Sequence, residues 1–214
     1  MTKLNSNLSN ECLCHPTMTV FGTGEVSAPP DRAVIITGAT STSEQVAEAQ
    51  EENAMHISAI VVSLQSLGIP SDDIQTTDYR IEENVRYENN VKILLGYKVT
   101  HLLKVYVEPV SNAGAAIDAA VAAGANVVSD IRFELKDPKT VYQKALGNAI
   151  KDGEQKAKSM AHSLDLSLPH TPHQIVEISS ASPSPRMFSE VQATQIQPGQ
   201  LVITAQLKMI YLLI

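Results

Sequence analysis

The chain has few aromatic residues: it has no tryptophan, and phenylalanine and tyrosine together make up only 4% of its 214 residues. Stacking platforms for single-stranded nucleic acid need aromatic side chains, so this composition supports them poorly. Basic residues are also few, since 16 Lys and Arg stand against 23 Asp and Glu, a net charge of -7. A duplex-binding protein needs a dense basic face to neutralise phosphates, and no such cluster occurs. Nucleic acid is therefore not a predicted partner.

Cysteine and long apolar runs are equally scarce. The two cysteines, Cys12 and Cys14, are one residue apart, so a disulfide between them would close a small strained ring. A reducing compartment is the simpler interpretation. The N-terminal segment MTKLNSNLSNECLCHPT lacks the apolar core of a signal peptide, and no apolar run approaches the roughly 18 residues of a spanning helix. These absences predict a cytoplasmic protein without a membrane span.

The apolar periodicity predicts an α+β fold of two β-α-β-β repeats preceded by an N-terminal strand. Residues 1–16 show no periodicity and are predicted to be a disordered arm. Residues 17–214 are predicted to form one domain with a first half, 17–109, and a second half, 110–214. Each half is expected to place one long helix against a mixed or antiparallel sheet. A short Ala-rich helix connects the two halves.

The stretch TVFGTGEVSAPPD contains a Gly-x-Gly that could begin a phosphate-binding turn. A dinucleotide site needs a third glycine and a helix directly after the turn. Here Ser27 takes the third position, and two prolines with a β-branched run follow, which cannot begin that helix. Gly22 and Gly24 are better interpreted as strand residues that leave one face bare for close packing. The segment on either side of Pro29-Pro30 is predicted to form a hairpin.

Three later segments suggest further elements. Asn89-Asn90 separates two long strand-like runs and predicts a second hairpin. The C-terminal MIYLLI is apolar on both alternating faces, which fits a central strand or an oligomer interface. The Ser/Pro-rich loop 181–199 is long for a compact domain, so we expect it to be an interface element.

Candidate reactive groups are few, and each has a simpler structural explanation. Asp72-Asp73 follows a helix stop and is typical of a polar turn, whereas paired catalytic carboxylates need burial. Asp31-Arg32 follows two prolines and is typical of a turn with a capping carboxylate. No Gly-x-Ser-x-Gly is present. Histidine and cysteine occur in two groupings that lack the spacing of a structural zinc site, namely Cys12, Cys14 and His15, and His162, His170 and His173. No catalytic, cofactor or metal site is predicted.

Several blocks occur in an order that resembles the SIMPL-domain family, also called DUF541 or YggE-like. They are VFGTGEVSAPPDRAVI, SLGIPSDDIQTTDYRIE, GYKVTHLLKVYV, AIDAAVAAGANVVSDIRFEL and the helix ending KAKSMAHSL. The resemblance runs from about Val20 to Leu212. The positions that match the family pattern are turn, cap and packing types: Gly22, Gly24, Pro30, Asp31, Gly68, Thr76, Gly96, Tyr97, Gly124, Asn126 and Phe133.

The resemblance implies a non-enzymatic protein without cofactors that works through homo-oligomeric assembly or partner binding. It also implies a link to oxidative-stress protection. Many bacterial members are exported, and a eukaryotic member is a kinase-binding adaptor. Two alternatives stay open: a small-molecule- or metal-binding protein with a pocket between the two halves, and a signalling adaptor.

Overall fold

The structure is a computed structural model that describes residues 16–178, 186–187 and 199–213. The predicted α+β class is confirmed. The helices are α1 (Val46–Ser66), α2 (Ala113–Ala122) and α3 (Pro138–Ser163), with short 3-10 helices at Ser71–Asp73 and Val110–Asn112. The strands are β1 (Thr17–Ala28), β2 (Arg32–Ser43), β3 (Ile74–Glu88), β4 (Val91–Val107), β5 (Val127–Glu134), β6 (Gln174–Glu177), β7 (Arg186–Met187) and β8 (Leu201–Leu212).

The chain forms two compact units that alternate along the sequence. Unit 1 contains β1, α3, β6 and nearly all of β8. Unit 2 contains β2, α1, β3, β4, α2 and β5. In both units a helix packs on one face of a sheet, because each element has one apolar face that it must bury.

Unit 2 is built on a sheet with the strand order β3-β4-β2-β5, and every neighbouring pair is antiparallel. Helices α1 and α2 cover one face of this sheet. Strand β2 is central, and its residues are mostly buried. The core combines β-branched strand residues with alanines of α2, whose small side chains allow close helix packing. Its members are Ala33, Ile35, Ala39, Ile57, Ile60, Leu64, Ile69, Leu103, Val105, Val107, Ala113, Ala116, Ala120, Ala125 and Phe133.

Unit 1 is built on the strand path β1-β8-β6. Strand β8 is therefore central, as the apolar MIYLLI segment suggested. Alternate residues of β8 from Leu201 to Tyr211 are buried. Helix α3 begins at Pro138, as predicted, and buries a stripe of small residues. Proline suits the first helical position because its missing N–H has no partner there in any case.

Two strand pairings differ from the sequence-based prediction. The predicted hairpin around Pro29-Pro30 is wrong, because β1 lies in the sheet of unit 1 and β2 in the sheet of unit 2. Strand β5 pairs with β2 rather than with the later strands of the chain. The physical reason is that local patterning marks a strand and its buried face but does not choose its partner. The predicted hairpin around Asn89-Asn90 is confirmed, with Glu88 opposite Val91.

The remaining sequence-based expectations for the termini and the long loop fall largely outside the described residues. These are the arm 1–16, of which only residue 16 is described, the cysteine pair Cys12 and Cys14, and most of the loop 181–199.

Candidate functional site

The hairpin of β3 and β4 is long and largely exposed beyond its contact with α1. Its strands span 15 and 17 residues, whereas an average strand has about 5–6. Gln50 of α1 donates a hydrogen bond to the Tyr79 hydroxyl at 3.1 Å, which marks where helix and hairpin meet. Further along the hairpin most side chains on both strands are exposed.

One face of this exposed part holds the apolar side chains of β3, together with the ion pair between Glu83 and Lys92. Side chains alternate along a strand, so Ile81, Val85 and Tyr87 lie on the same face of β3. Leu94 of β4 is directly opposite Val85 and shares that face. We call these four residues the tip patch. Tyr87 is 68% exposed, Leu94 51% and Ile81 40%. Ile81 is also opposite the fully buried Val99, so the apolar face continues from the core of unit 2.

The other face of β3 is charged. Arg80 contacts Asp78 at 2.8 Å, and Arg86 contacts Glu88 at 2.7 Å. Glu82 lies 3.4 Å from Lys98 of β4. These pairs are exposed, so each contributes little to stability. Their significance is that the edge strand displays charges of alternating sign.

The tip of the hairpin is a two-residue turn. Asn89 and Asn90 both have positive φ, 48° and 63°, which is the conformation of a type I′ turn. Asparagine tolerates this left-handed region better than most residues. The turn fixes the register, so the residues of the tip patch align across the two strands.

The base of the hairpin holds a small polar cluster. Thr76 Oγ1 lies 2.9 Å from His101 Nε2, and the ring of Tyr79 meets the His101 ring edge-on with centroids 5.2 Å apart. Partial burial lowers the pKa of His101. The His101 imidazole therefore makes a hydrogen bond with a hydroxyl and a packing contact with an aromatic ring.

Unit 2 also contains a cavity of about 450 Å³. Leu67, Ile69 and Tyr106 contribute apolar surface, and Asp73 lines it too. Lys136 also lines it, and its Nζ donates to Glu108 Oε2 at 2.8 Å. This bond raises the pKa of Lys136. The positive charge of Lys136 is therefore already balanced by the carboxylate of Glu108, which lines the same cavity.

Gly22 and Gly24 lie against α3 in unit 1. A Cβ on Gly22 would be 2.0 Å from the Ala149 carbonyl oxygen, and one on Gly24 would be 2.1 Å from that of Ala145. Gly153 of α3 lies on the same contact, because a Cβ added to it would be 3.5 Å from the Gly22 Cα. This geometry agrees with the interpretation of the two strand glycines as packing residues rather than a phosphate loop.

Gly68 and Gly124 end α1 and α2 with the same motif. Both have positive φ, 86° and 103°. The Gly68 N–H donates to Gln65 at 2.9 Å and the next N–H donates to Leu64 at 3.3 Å. The Gly124 N–H and the N–H that follows it bond in the same way to the last turn of α2. This Schellman pattern satisfies carbonyls that a helix end otherwise leaves unpaired.

Asp31 and Asn126 fix strand ends in unit 2. Asp31 Oδ1 accepts a hydrogen bond from the Lys136 N–H at 2.7 Å. Asn126 accepts from the Thr40 N–H at 2.7 Å and donates to the Thr40 carbonyl at 2.8 Å, so its amide continues the ladder of β2. Arg32 forms an ion pair with Glu134 rather than facing a ligand.

The remaining family-pattern positions also lie in the fold of unit 2. Gly96 has φ of 130° at a bulge opposite Asn84, where a Cβ would lie 2.3 Å from the Ser43 carbonyl oxygen. Tyr97 follows it in β4, opposite Ser43 of β2. Phe133 and Pro30 are buried.

The structure does not bring the candidate reactive groups together. Asp72 and Asp73 lie in the short helix Ser71–Asp73, as a turn interpretation requires. His162 lies in the last turn of α3, and His170 and His173 are exposed after it. Among the described residues, no three His, Cys, Asp or Glu side chains are close enough to hold a metal ion. Cys12, Cys14 and His15 lie outside those residues.

Comparison with known proteins decides the family. The profile of the SIMPL family, described as a protein of unknown function (DUF541), matches residues 18–211. The chain belongs to the SIMPL family. It is 28% identical over 173 residues to the 26 kDa periplasmic immunogenic protein of Brucella melitensis, covering 78% of this chain and 68% of that relative. It is 23% identical over 177 residues to YggE of Escherichia coli K12, covering 83% of this chain and 72% of YggE.

A human protein matches a shorter part of the chain. The interleukin-1 receptor-associated kinase 1-binding protein 1 is 42% identical over 66 residues, which is 30% of this chain and 25% of the human protein.

These relatives correct one expectation. The cytoplasmic location predicted from the N-terminal sequence is wrong, because Brucella relatives from the same family are named periplasmic proteins, which points to export. Composition of the first residues was an insufficient basis for a location. None of the helices in the described ranges is both long and apolar enough to cross a membrane.

The tip patch was not identified from the sequence of this SIMPL protein. The sequence does contain the pattern that predicts an apolar strand face. Apolar and polar residues alternate in β3 from Asp78 to Glu88, with Glu83 the one charged residue among the apolar positions. Alternation predicts one apolar face. It does not show how far along the strand a helix covers that face.

Proposed function

We propose that this SIMPL-family protein is a non-enzymatic, exported protein that assembles into homo-oligomers through the β3–β4 hairpin. The tip patch is the observation that carries the proposal. The periplasmic relatives support export, and the human kinase-binding relative supports a role in protein binding.

The β3–β4 hairpin exposes apolar side chains that a second copy could cover. A two-stranded hairpin without a covered face is only marginally stable in water. Here it extends far beyond the covered part of the sheet and exposes Ile81, Tyr87 and Leu94 on its apolar face. Contiguous apolar surface on a soluble protein commonly marks an interaction site. Covering the tip patch in a second copy would remove that surface from water and rigidify the hairpin.

Replacing tip residues tests the proposal. We expect the double variant Tyr87→Ser with Leu94→Ser to reduce the assembled fraction at least tenfold, because two exposed apolar contacts are lost together. A matched control is Val62→Ser with Val121→Ser, which removes exposed apolar side chains (65% and 51%) from α1 and α2 of the same unit. Sedimentation velocity at equal concentration measures the masses. Equal assembly in the tip variant and the wild type would contradict the proposal.

The cavity in unit 2 supports a second candidate, small-molecule binding. Its volume of about 450 Å³ falls within the usual range for ligand sites. A thermal-shift screen of metabolites tests for small-molecule binding, because a ligand that binds the folded state raises the midpoint temperature of unfolding. A specific shift that Tyr106→Ala removes would favour binding, and the absence of any shift across the screen would count against it.

A further inference from the structure

Strand β3 forms one edge of the sheet in unit 2. In the described part of the chain it pairs only with β4, so its other side presents unpaired backbone groups. Soluble proteins usually keep such edges short or cover them. This edge is 15 residues long and contains three of the four tip-patch residues. It is therefore the part of the hairpin best suited to extend the sheet into another molecule.

The charges along β3 select one way for two copies to pair. Consider two β3 strands running antiparallel with Asn84 of one copy opposite Asn84 of the other. Arg80 then lies opposite Glu88, and Glu82 lies opposite Arg86. The two-fold symmetry repeats both pairs, so four opposite-charge pairs form on one face. Directly opposite residues share a face, and opposite charges there stabilise the pairing.

Neighbouring registers bring like charges together. A shift of the pairing by two residues in one direction places Arg80 opposite Arg86 and Asp78 opposite Glu88. A shift of two residues in the other direction places Glu82 opposite Glu88. A shift by one residue would reverse the faces, so that apolar side chains of one copy lie beside charged side chains of the other. The sequence of the edge thus favours the register centred on Asn84 over these neighbours.

The same register also aligns the apolar face. Ile81 lies opposite Tyr87 of the second copy, and Val85 lies opposite Glu83. The two tip patches then meet through one Ile81–Tyr87 pair on each side of the two-fold axis, with Glu83 beside Val85 between these pairs. An aromatic residue paired with a β-branched residue is among the stabilising cross-strand pairs.

We propose that β3 pairs antiparallel with β3 of a second copy of this chain, about a two-fold axis at Asn84. The occupant of the edge is a second copy because the charge pattern from Arg80 to Glu88 is complementary to itself. This inference rests on the proposed assembly function and specifies its geometry. An isologous contact of this kind makes a closed pair, and any larger assembly needs a second interface.

Site-specific cross-linking tests the register. All variants carry Cys12→Ser and Cys14→Ser, so that the introduced cysteines are the only ones. Opposite Cα atoms in an antiparallel pair are about 4.5–5.5 Å apart, within disulfide range. We expect Asn84→Cys to give a covalent dimer on oxidation or with a short bis-maleimide. Arg80→Cys alone should not, because its two copies would be about 27 Å apart, eight residues along the strand.

The double variant Arg80→Cys with Glu88→Cys should cross-link, because these positions lie opposite each other across the axis. Glu88→Cys alone is the second negative control. Circular dichroism verifies folding of each variant, and sedimentation before oxidation shows whether it assembles.

The possible outcomes distinguish a failure of the proposed register from a failure of the proposed assembly. Cross-linking of Asn84→Cys and of the double variant, but of neither single control, supports the inference. An assembled protein whose Asn84→Cys variant does not cross-link overturns the register and leaves the proposed function intact. Cross-linking of Arg80→Cys alone also overturns the register. A wild-type protein that is monomeric under the same conditions overturns both.

Discussion

At the residue scale, Gly22 and Gly24 show how the absence of a side chain determines packing. Their α-carbons face backbone atoms of α3, which has little freedom to move away. Sequence alone indicated that these glycines leave one strand face bare. It did not identify α3 as the element that approaches, because the two segments are more than a hundred residues apart in the chain.

Substitution of Gly22 by alanine tests this contact. A Cβ there would lie 2.0 Å from a carbonyl oxygen, so we expect Gly22→Ala to lower the free energy of unfolding by about 3 kcal/mol. Gly147→Ala is the matched control in α3, where a Cβ meets nothing within 4 Å. It should raise stability by about 1 kcal/mol, the helix-propensity difference. Urea unfolding measures both, and equal effects of the two substitutions would contradict the account.

Asp152 gives unit 1 a pH-dependent contact. Its carboxylate accepts hydrogen bonds from Lys156 Nζ at 2.6 Å and from the Thr23 N–H at 2.8 Å. The bond from Lys156, followed by that from Thr23, lowers the pKa of Asp152 below its ordinary value of 3.8. The stabilisation is therefore present above pH 4 and is lost as the pH falls through the folded-state pKa.

We expect Asp152→Asn to be less stable than the wild type at pH 6 and closer to it at pH 3. The side chain is partly solvent-exposed, so the difference should be small, at most about 1 kcal/mol. Urea unfolding at the two pH values measures it. A stability gap that is as large at pH 3 as at pH 6 would show that the charge does not act in this way.

At the element scale, the sequence determines the ends of helices and the positions of tight turns better than it determines which strands pair. Pro138 marks the start of α3, and Gly68 and Gly124 mark the ends of α1 and α2, because each signal acts within one turn. Asn89-Asn90 similarly marks the turn between β3 and β4. The pairing of β1 with β8 was not predicted, because it depends on contacts between the two ends of the chain.

The turn of the hairpin offers a test at this scale. Asn90 has φ of 63°, a region that costs a β-branched residue about 1–2 kcal/mol. We expect Asn90→Val to increase amide hydrogen exchange in residues 81–95, whereas Asn90→Gly keeps the exchange at or below the wild-type rate. If Asn90→Val leaves the exchange unchanged, the turn does not hold the hairpin in register.

At the scale of the whole molecule, the unusually long β3–β4 hairpin is the feature that we connect with assembly. The family could be identified from the sequence because its blocks are turns, caps and close packing contacts in fixed order. The candidate site could not, because the exposure of the tip patch depends on how far the β3–β4 hairpin extends beyond α1. The charges from Arg80 to Glu88 indicate pairing between two copies only when β3 is known to be an edge strand. The sequence alone does not show that β3 lies at an edge.

The mass of the wild-type protein in solution tests the central claim most directly. Light scattering coupled to size-exclusion chromatography, at micromolar concentration and near-neutral pH, measures it without labels. We expect one discrete species at a whole-number multiple, two or more, of the 23.1 kDa chain. A single species of 23.1 kDa that persists as the concentration is raised would contradict it.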